Sequence, residues 1–280
     1  MNSKTVGGLV SLIRTLNVGI SAAAVAASVL LGGVPWSEWH VILIAMLTGA
    51  LAAAGANAIN DYYDHAIDRI NRPDRPIPRG VLSRSDALAV WIATSLGGIS
   101  INIFLHWTAL AVVAVSTAML WWYSATWKRT VLVGNVIVAG MTGTAFLYGG
   151  VVARDVGKTL IPALLAGLLT LGREIVKDIE DVEGDRAGQA LTFPVRFGRT
   201  KALALATAVL TVLLVAVWIP AATAFYGPAY GILLIPLSAV VLVVIAWMWK
   251  DSSPKNLRRQ SSLLKAAMIL GLAAVVAGSF

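Results

Sequence analysis

No cysteine occurs among the 280 residues, which excludes disulfides, thiolate nucleophiles and zinc–thiolate centres. Histidine is nearly as scarce: His40, His65 and His106 are scattered, no two lie at helical ligand spacing, and each reads as an interfacial side chain. Charged residues make up only 13% against 58% apolar, far outside the mix of a water-soluble domain. No Gly/Ser-rich or Pro-rich linker interrupts the chain, so one membrane domain over 1–280 is expected, and no soluble one. Lys and Arg outnumber the acidic residues 22 to 14, which would suggest nucleic acid for a soluble protein. Here the placement of those charges matters more, and no nucleic-acid partner is expected.

What the chain has in abundance is apolar runs of about the ~20 residues needed to span hydrocarbon. They fall near 7–33, 41–63, 86–105, 107–125, 133–152, 159–180, 202–222, 229–249 and 262–279. The first resembles a signal peptide in its flanking charge and small residues, but eight later spans argue for a retained helix. Alternating the polar breaks between two sides places 20 of the 22 Lys and Arg together, leaving only Arg154 and Lys158 opposite. The positive-inside rule then puts the N-terminus and this face in the cytoplasm. The same face carries 12 of the 14 acidic residues, all but Glu38 and Asp155. Acidic residues contribute little to topology, so that clustering points to a use for both signs of charge.

The acidic residues repeat. Asp61, Asp64, Asp68 and Arg69 form D-x-x-D-x-x-x-D-R, and Asp178, Asp181, Asp185 and Arg186 form it again at a constant offset (178 − 61 = 117), with Gly55 falling on Gly172. Four spans separate the copies, an even number, so both reach the same face. The pattern predicts two related four-helix halves plus a ninth helix. Positions i, i+3 and i+7 share one helix face, so each trio points one way, with Asn57 and Asn60 preceding the first and Glu174 the second. Both spans run outside to inside, which sets the trios at helix C-termini, where the macrodipole disfavours anions and a compensating cation is implied. Oxygen ligands without histidine or cysteine suit a hard ion, and Mg²⁺ typically combines a few carboxylates with substrate phosphates. A diphosphate substrate is the natural third party.

After the first trio comes N-R-P-D-R-P-I-P-R-G at 71–80. Its prolines keep the segment out of a helix, and Arg72, Arg75 and Arg79 offer fork-shaped donors for phosphate or for anionic lipid. Lys128 follows the aromatic stretch Trp121, Trp122, Tyr123 and Trp127, as a second phosphate ligand or an ordinary interfacial anchor. Arg14 sits inside an apolar segment with Asn17 one turn on, and a charge there requires a wet cavity or a partner.

These motifs resemble the UbiA superfamily of intramembrane prenyltransferases. N-D-Y-Y-D-H-A-I-D at 60–68 is similar to its first aspartate-rich motif, R-P-D-R-P-I-P-R-G at 72–80 to the loop that follows, and K-D-I-E-D-V-E-G-D at 177–185 to its second motif. Within the superfamily, R-E-I-V-K-D-I-E-D-V-E-G-D-R is most similar to archaeal digeranylgeranylglyceryl phosphate synthases, while chlorophyll synthases share N-D-Y-Y-D and the Gly-Asp-Arg ending. The resemblance implies an all-α membrane protein with nine transmembrane helices in a ring around a central cavity. It implies one Mg²⁺ held by Asn60, Asp64 and Asp68, and another by Asp181 and Asp185 with Asp178. Asp61 would orient nearby donors, Arg14 and Lys128 would grip the diphosphate, and Asn17 would be among the substrate-binding residues.

The implied reaction is Mg-dependent alkyl transfer, in which the allylic C1–O bond ionises and an acceptor attacks the cation. On the archaeal-lipid resemblance the donor is geranylgeranyl diphosphate and the acceptor the lipid phosphate geranylgeranylglyceryl phosphate, with Arg72, Arg75 or Arg79 available to its phosphate. An aromatic acceptor of the quinone, haem or chlorophyll type would use the same ionisation. A secondary transporter also has repeats and intramembrane charge, but its sites lie near the midplane rather than at helix ends. The D-x-x-D-G-x-x-A-R run of CDP-alcohol phosphotransferases is absent. Membrane lipid is an expected partner, and no feature requires a protein partner.

Overall fold

Apolar residues at helical spacing, few internal prolines and low charge leave one way to satisfy backbone polar groups in lipid, namely helices. A computed structural model describes residues 3–279, and the regular structure among them is entirely helical. The helices are α1 (Ser3–Ile13), α2 (Thr15–Leu31), α3 (Trp39–Asn71), α4 (Arg84–Ile101), α5 (Trp107–Ala125), α6 (Val133–Ala153), α7 (Gly157–Ala187), α8 (Phe193–Phe197), α9 (Arg199–Ala222), α10 (Pro228–Lys250) and α11 (Pro254–Ser279). Among the described residues, eight helices are long and apolar enough to cross a membrane, and the bent pair α1 and α2 supplies a ninth. Large side chains such as Leu96, Val215, Ile232 and Ile235 are exposed on these helices, as lipid-facing positions should be.

Two features differ from the sequence reading. The first span is broken at Arg14 and bends by 47°. The helices carrying the trios also extend further than their apolar runs, to Asn71 and Ala187. Asp68 and Asp185 therefore lie in a last helical turn, whereas Asp61 and Asp178 lie well inside their helices. Dipole repulsion is confined to about the last turn, so it applies only to the later aspartates.

The chain forms two compact units, Met1–Lys128 with Thr144–Thr159 and Arg129–Gly143 with Leu160–Phe280. In the first, α2, α3, α5 and the later part of α6 enclose Val25, Val29, Ile42, Ala45, Val113 and Tyr148. Within it Asn102, fully buried, donates to Thr48 Oγ1 (2.8 Å) and accepts from the Tyr148 hydroxyl (2.7 Å), so no polar group of that trio faces lipid unpaired. In the second unit α9, α10 and α11 bury Leu210, Leu213, Leu234, Val241, Met248 and Leu264, and Tyr230 donates to the Val217 carbonyl at 2.8 Å.

The repeated glycine has a steric reason. A Cβ on Gly55 would come within 2.7 Å of Thr94 Oγ1 on α4, and one on Gly172 within 2.6 Å of Leu210 Cδ2 on α9. Each trio-bearing helix thus needs a glycine where its neighbour crosses closest.

Candidate active site

In the first unit the trio is buried: Asp61 is 2% exposed, Asp64 and Asp68 5% each. Three buried carboxylates need positive charge, and three protein cations supply it. Arg14 pairs with Asp61 through Nη2 and donates from Nη1 to Asn57 Oδ1 at 2.9 Å. Arg75 bridges Asp61 Oδ1 (3.1 Å) and Asp68 Oδ2 (2.5 Å) through one nitrogen. Lys128 pairs with Asp64. Protein side chains thus supply compensating positive charge at this trio.

Local structure explains how distant residues arrive there. The segment after α3 folds back as turns: the Pro76 carbonyl accepts from the amides of Val81 (2.9 Å) and Leu82 (3.2 Å), and Arg79 N donates to the Arg75 carbonyl at 3.1 Å. Leu82 anchors it in a cluster with Leu12, Ala58 and Ala87, and a capping box between Ser83 and Asp86 starts α4. Between those anchors Arg75 turns onto the trio. Arg72 donates from Nη1 to the Asn71 carbonyl at 2.9 Å, and Arg79 is exposed. Burial would lower the Arg75 and Lys128 pKa values, but the carboxylates of Asp61 and Asp68 beside Arg75, and of Asp64 beside Lys128, outweigh it and hold both above their ordinary values.

Asn60 accepts a hydrogen bond from Ser124 Oγ at 2.6 Å, which fixes its carboxamide beside the trio. Asn17 is half-buried on α2, its amide donating to the Arg14 carbonyl at 2.8 Å.

In the second unit, Asn135 Nδ2 donates to Asp178 Oδ2 at 2.8 Å, and buried Thr192 donates to Asp185 Oδ2 at 3.1 Å. Asp181 is half-buried between them on α7. Glu174 on the same face accepts from Arg173 (2.7 Å) and Lys177 (3.3 Å), while Glu180 on another face takes Arg258 of α11 at 2.9 Å. The repeat extends to these partners: Thr192 stands 117 residues after Arg75 (192 − 75 = 117), and each holds the third aspartate of its trio. Ser124, Asn135 and Thr192 were not singled out from sequence. Neutral donors of this kind are common, and only the 117-residue offset from Arg75 could have pointed to one of them.

Among the described residues no three carboxylate or imidazole groups converge as a ready metal cluster, since the first trio is turned onto its cations. In kind the donors fit a hard dication: oxygen only, carboxylates together with the Asn60 carboxamide, with Asp64, Asp68 and Asp185 buried. Guanidinium and ammonium groups suited to phosphate oxygens lie against the first trio.

The UbiA prenyltransferase family matches residues 20–273. A digeranylgeranylglyceryl phosphate synthase of Natronomonas pharaonis is 34% identical over 276 residues, covering 97% of this chain and 99% of its own. A solved structure concerned with digeranylgeranylglyceryl phosphate synthase in membranes superposes with a TM-score of 0.74 at 27% identity, covering 98% of both chains. A UbiA homolog from Archaeoglobus fulgidus, bound to DMAPP and Mg²⁺, superposes with a TM-score of 0.66 at 18% identity, over 96% of this chain and 99% of that one.

Proposed function

This chain belongs to the UbiA prenyltransferase family, and we propose that it transfers a geranylgeranyl group from geranylgeranyl diphosphate to geranylgeranylglyceryl phosphate, acting as one multi-pass membrane domain in ether-lipid synthesis. The observation that carries this reading is the buried trio Asp61, Asp64 and Asp68 set against Arg14, Arg75 and Lys128. Relatives that share most of the chain's length and are named for this reaction support the choice of acceptor.

Asn60, Asp64 and Asp68 would hold one Mg²⁺, and Asp178, Asp181 and Asp185 another; when bound, the ions supply charge that stabilises the departing diphosphate. Lys128, released from Asp64, and Arg75, released from Asp68, bind diphosphate oxygens together with Arg14. Asp61, which takes both Arg14 and Arg75, orients those two guanidinium groups. Arg72 and Arg79, on the same loop, would receive the acceptor's phosphate. As the C1–O bond breaks, its electron pair leaves with diphosphate. The acceptor hydroxyl oxygen then attacks the allylic C1, forming the ether and releasing its proton. Apolar helix walls keep water from the cation. The weight of Lys and Arg on one side supports a cytoplasmic N-terminus and site.

The test is incubation of the purified protein with labelled geranylgeranyl diphosphate, Mg²⁺ and a panel of glycerol-phosphate and aromatic acceptors. Label in digeranylgeranylglyceryl phosphate is expected. Label only in an aromatic product would replace the acceptor, and no product with diphosphate uptake into liposomes would replace the enzyme by a transporter.

A further inference from the structure

The break at Arg14 has no proline or glycine to cause it, and Arg14 itself carries the strain, at φ 55° and ψ 72° in the left-handed region. That conformation is unfavourable for a residue with a side chain and persists only where the surroundings impose it. At the break the Asn17 and Val18 amides both turn to the Arg14 carbonyl (2.8 and 3.2 Å). The Ile13 carbonyl accepts instead from Asn57 Nδ2 at 2.7 Å. The same carboxamide offers its oxygen to Arg14 Nη1 at 2.9 Å, while Nη2 reaches Asp61. Asn57 and Asp61 are four residues apart on α3, so the guanidinium fork spans one helical turn. Only one orientation of the Asn57 amide serves both bonds. Asn57 is 6% exposed.

We infer that Asn57 is a positioning residue for the reaction: by capping the broken helix with its nitrogen and holding Arg14 with its oxygen, it fixes the guanidinium where the prenyl diphosphate binds. This rests on the proposed function, which places Arg14 on that diphosphate. Asn57 touches neither substrate nor metal in this account and acts through Arg14 alone.

The test is a double-mutant cycle on the full chain, with Asn57→Leu (similar volume, no polar atom) and Asn57→Ser (no added volume), each alone and combined with Arg14→Gln. Readouts are KM and kcat for geranylgeranyl diphosphate, and calorimetric binding of magnesium pyrophosphate. A hydrogen bond to a charged group is worth ~1.5–3 kcal/mol, so each Asn57 variant should raise the donor KM and the pyrophosphate Kd about tenfold or more, with kcat changed less than about threefold. In the Arg14→Gln background the same substitutions should add less than about twofold. Asn57 variants that fold but leave KM and Kd as in the wild type, or whose effects multiply in full with Arg14→Gln, overturn the inference. A wild type that neither transfers a prenyl group nor binds magnesium pyrophosphate overturns the proposed function beneath it.

Discussion

Replacing Lys128 by methionine keeps the length of the side chain and removes the charge that faces Asp64. Removing one partner of a buried ion pair typically costs ~3–5 kcal/mol, because the other charge is left in a medium that solvates it poorly. Asp64 is 8% exposed at its side chain and Lys128 24%, and that partial access to water reduces the expected loss to ~2–3 kcal/mol. Ten tryptophans give an intrinsic fluorescence signal for thermal unfolding in detergent. Lys128→Met should melt below the wild type by several degrees, and Asp64→Asn in that background should recover most of the loss, since a neutral amide needs no counter-ion. Mg²⁺ should stabilise Lys128→Met more than the wild type, where Lys128 competes for the same carboxylate; a hundredfold excess over Kd contributes ~2.7 kcal/mol. The reasoning is refuted if Lys128→Met melts like the wild type, or if adding Asp64→Asn lowers the midpoint further.

Asp64→Ala or Asp181→Ala should reduce prenyl transfer by at least ~100-fold while the protein remains monodisperse by size-exclusion chromatography, because either trio loses a metal ligand rather than core packing. Gly149→Val should lower the melting midpoint, since a Cβ there would lie 2.5 Å from Ser28 Cβ and overpacking costs ~1–3 kcal/mol or more. The Tyr226 hydroxyl, buried in the loop before α10, has its pKa pushed up to about 12 by desolvation. Its unfolded value is ~10, so its contribution to stability is complete below pH ~10 and is lost as pH rises towards about 12. Difference absorbance against Tyr226→Phe should show this phenol ionising above the ~10 of a free tyrosine.

The spans, the two aspartate trios and the demand of Arg14 for a partner were legible in the sequence, because each follows from the cost of polar groups in hydrocarbon. Arg14 finds that partner in Asp61. The helix break beside it was not legible: Ile13, Arg14 and Thr15 carry no breaking signal, and the left-handed turn is imposed by the tertiary bonds to Asn57 and Asp61. Nor could Arg75 be told from Arg72 and Arg79. Three arginines on a proline-rich loop look alike until Pro76 and Leu82 fix the turn that brings Arg75 onto the trio. The lengths of α3 and α7 were underestimated for a different reason. Apolar periodicity stops where the carboxylates begin, yet the backbone remains helical because the acidic face is buried against cations and amides.

The proposed ionisation requires a metal ion at each trio. The most direct measurement of that requirement is Mn²⁺ binding, by electron paramagnetic resonance, in the presence of an unreactive geranylgeranyl thiodiphosphate. The wild type should retain about two ions per chain, and Asp64→Ala and Asp181→Ala should each retain about one. Full retention of Mn²⁺ by either variant would contradict the account.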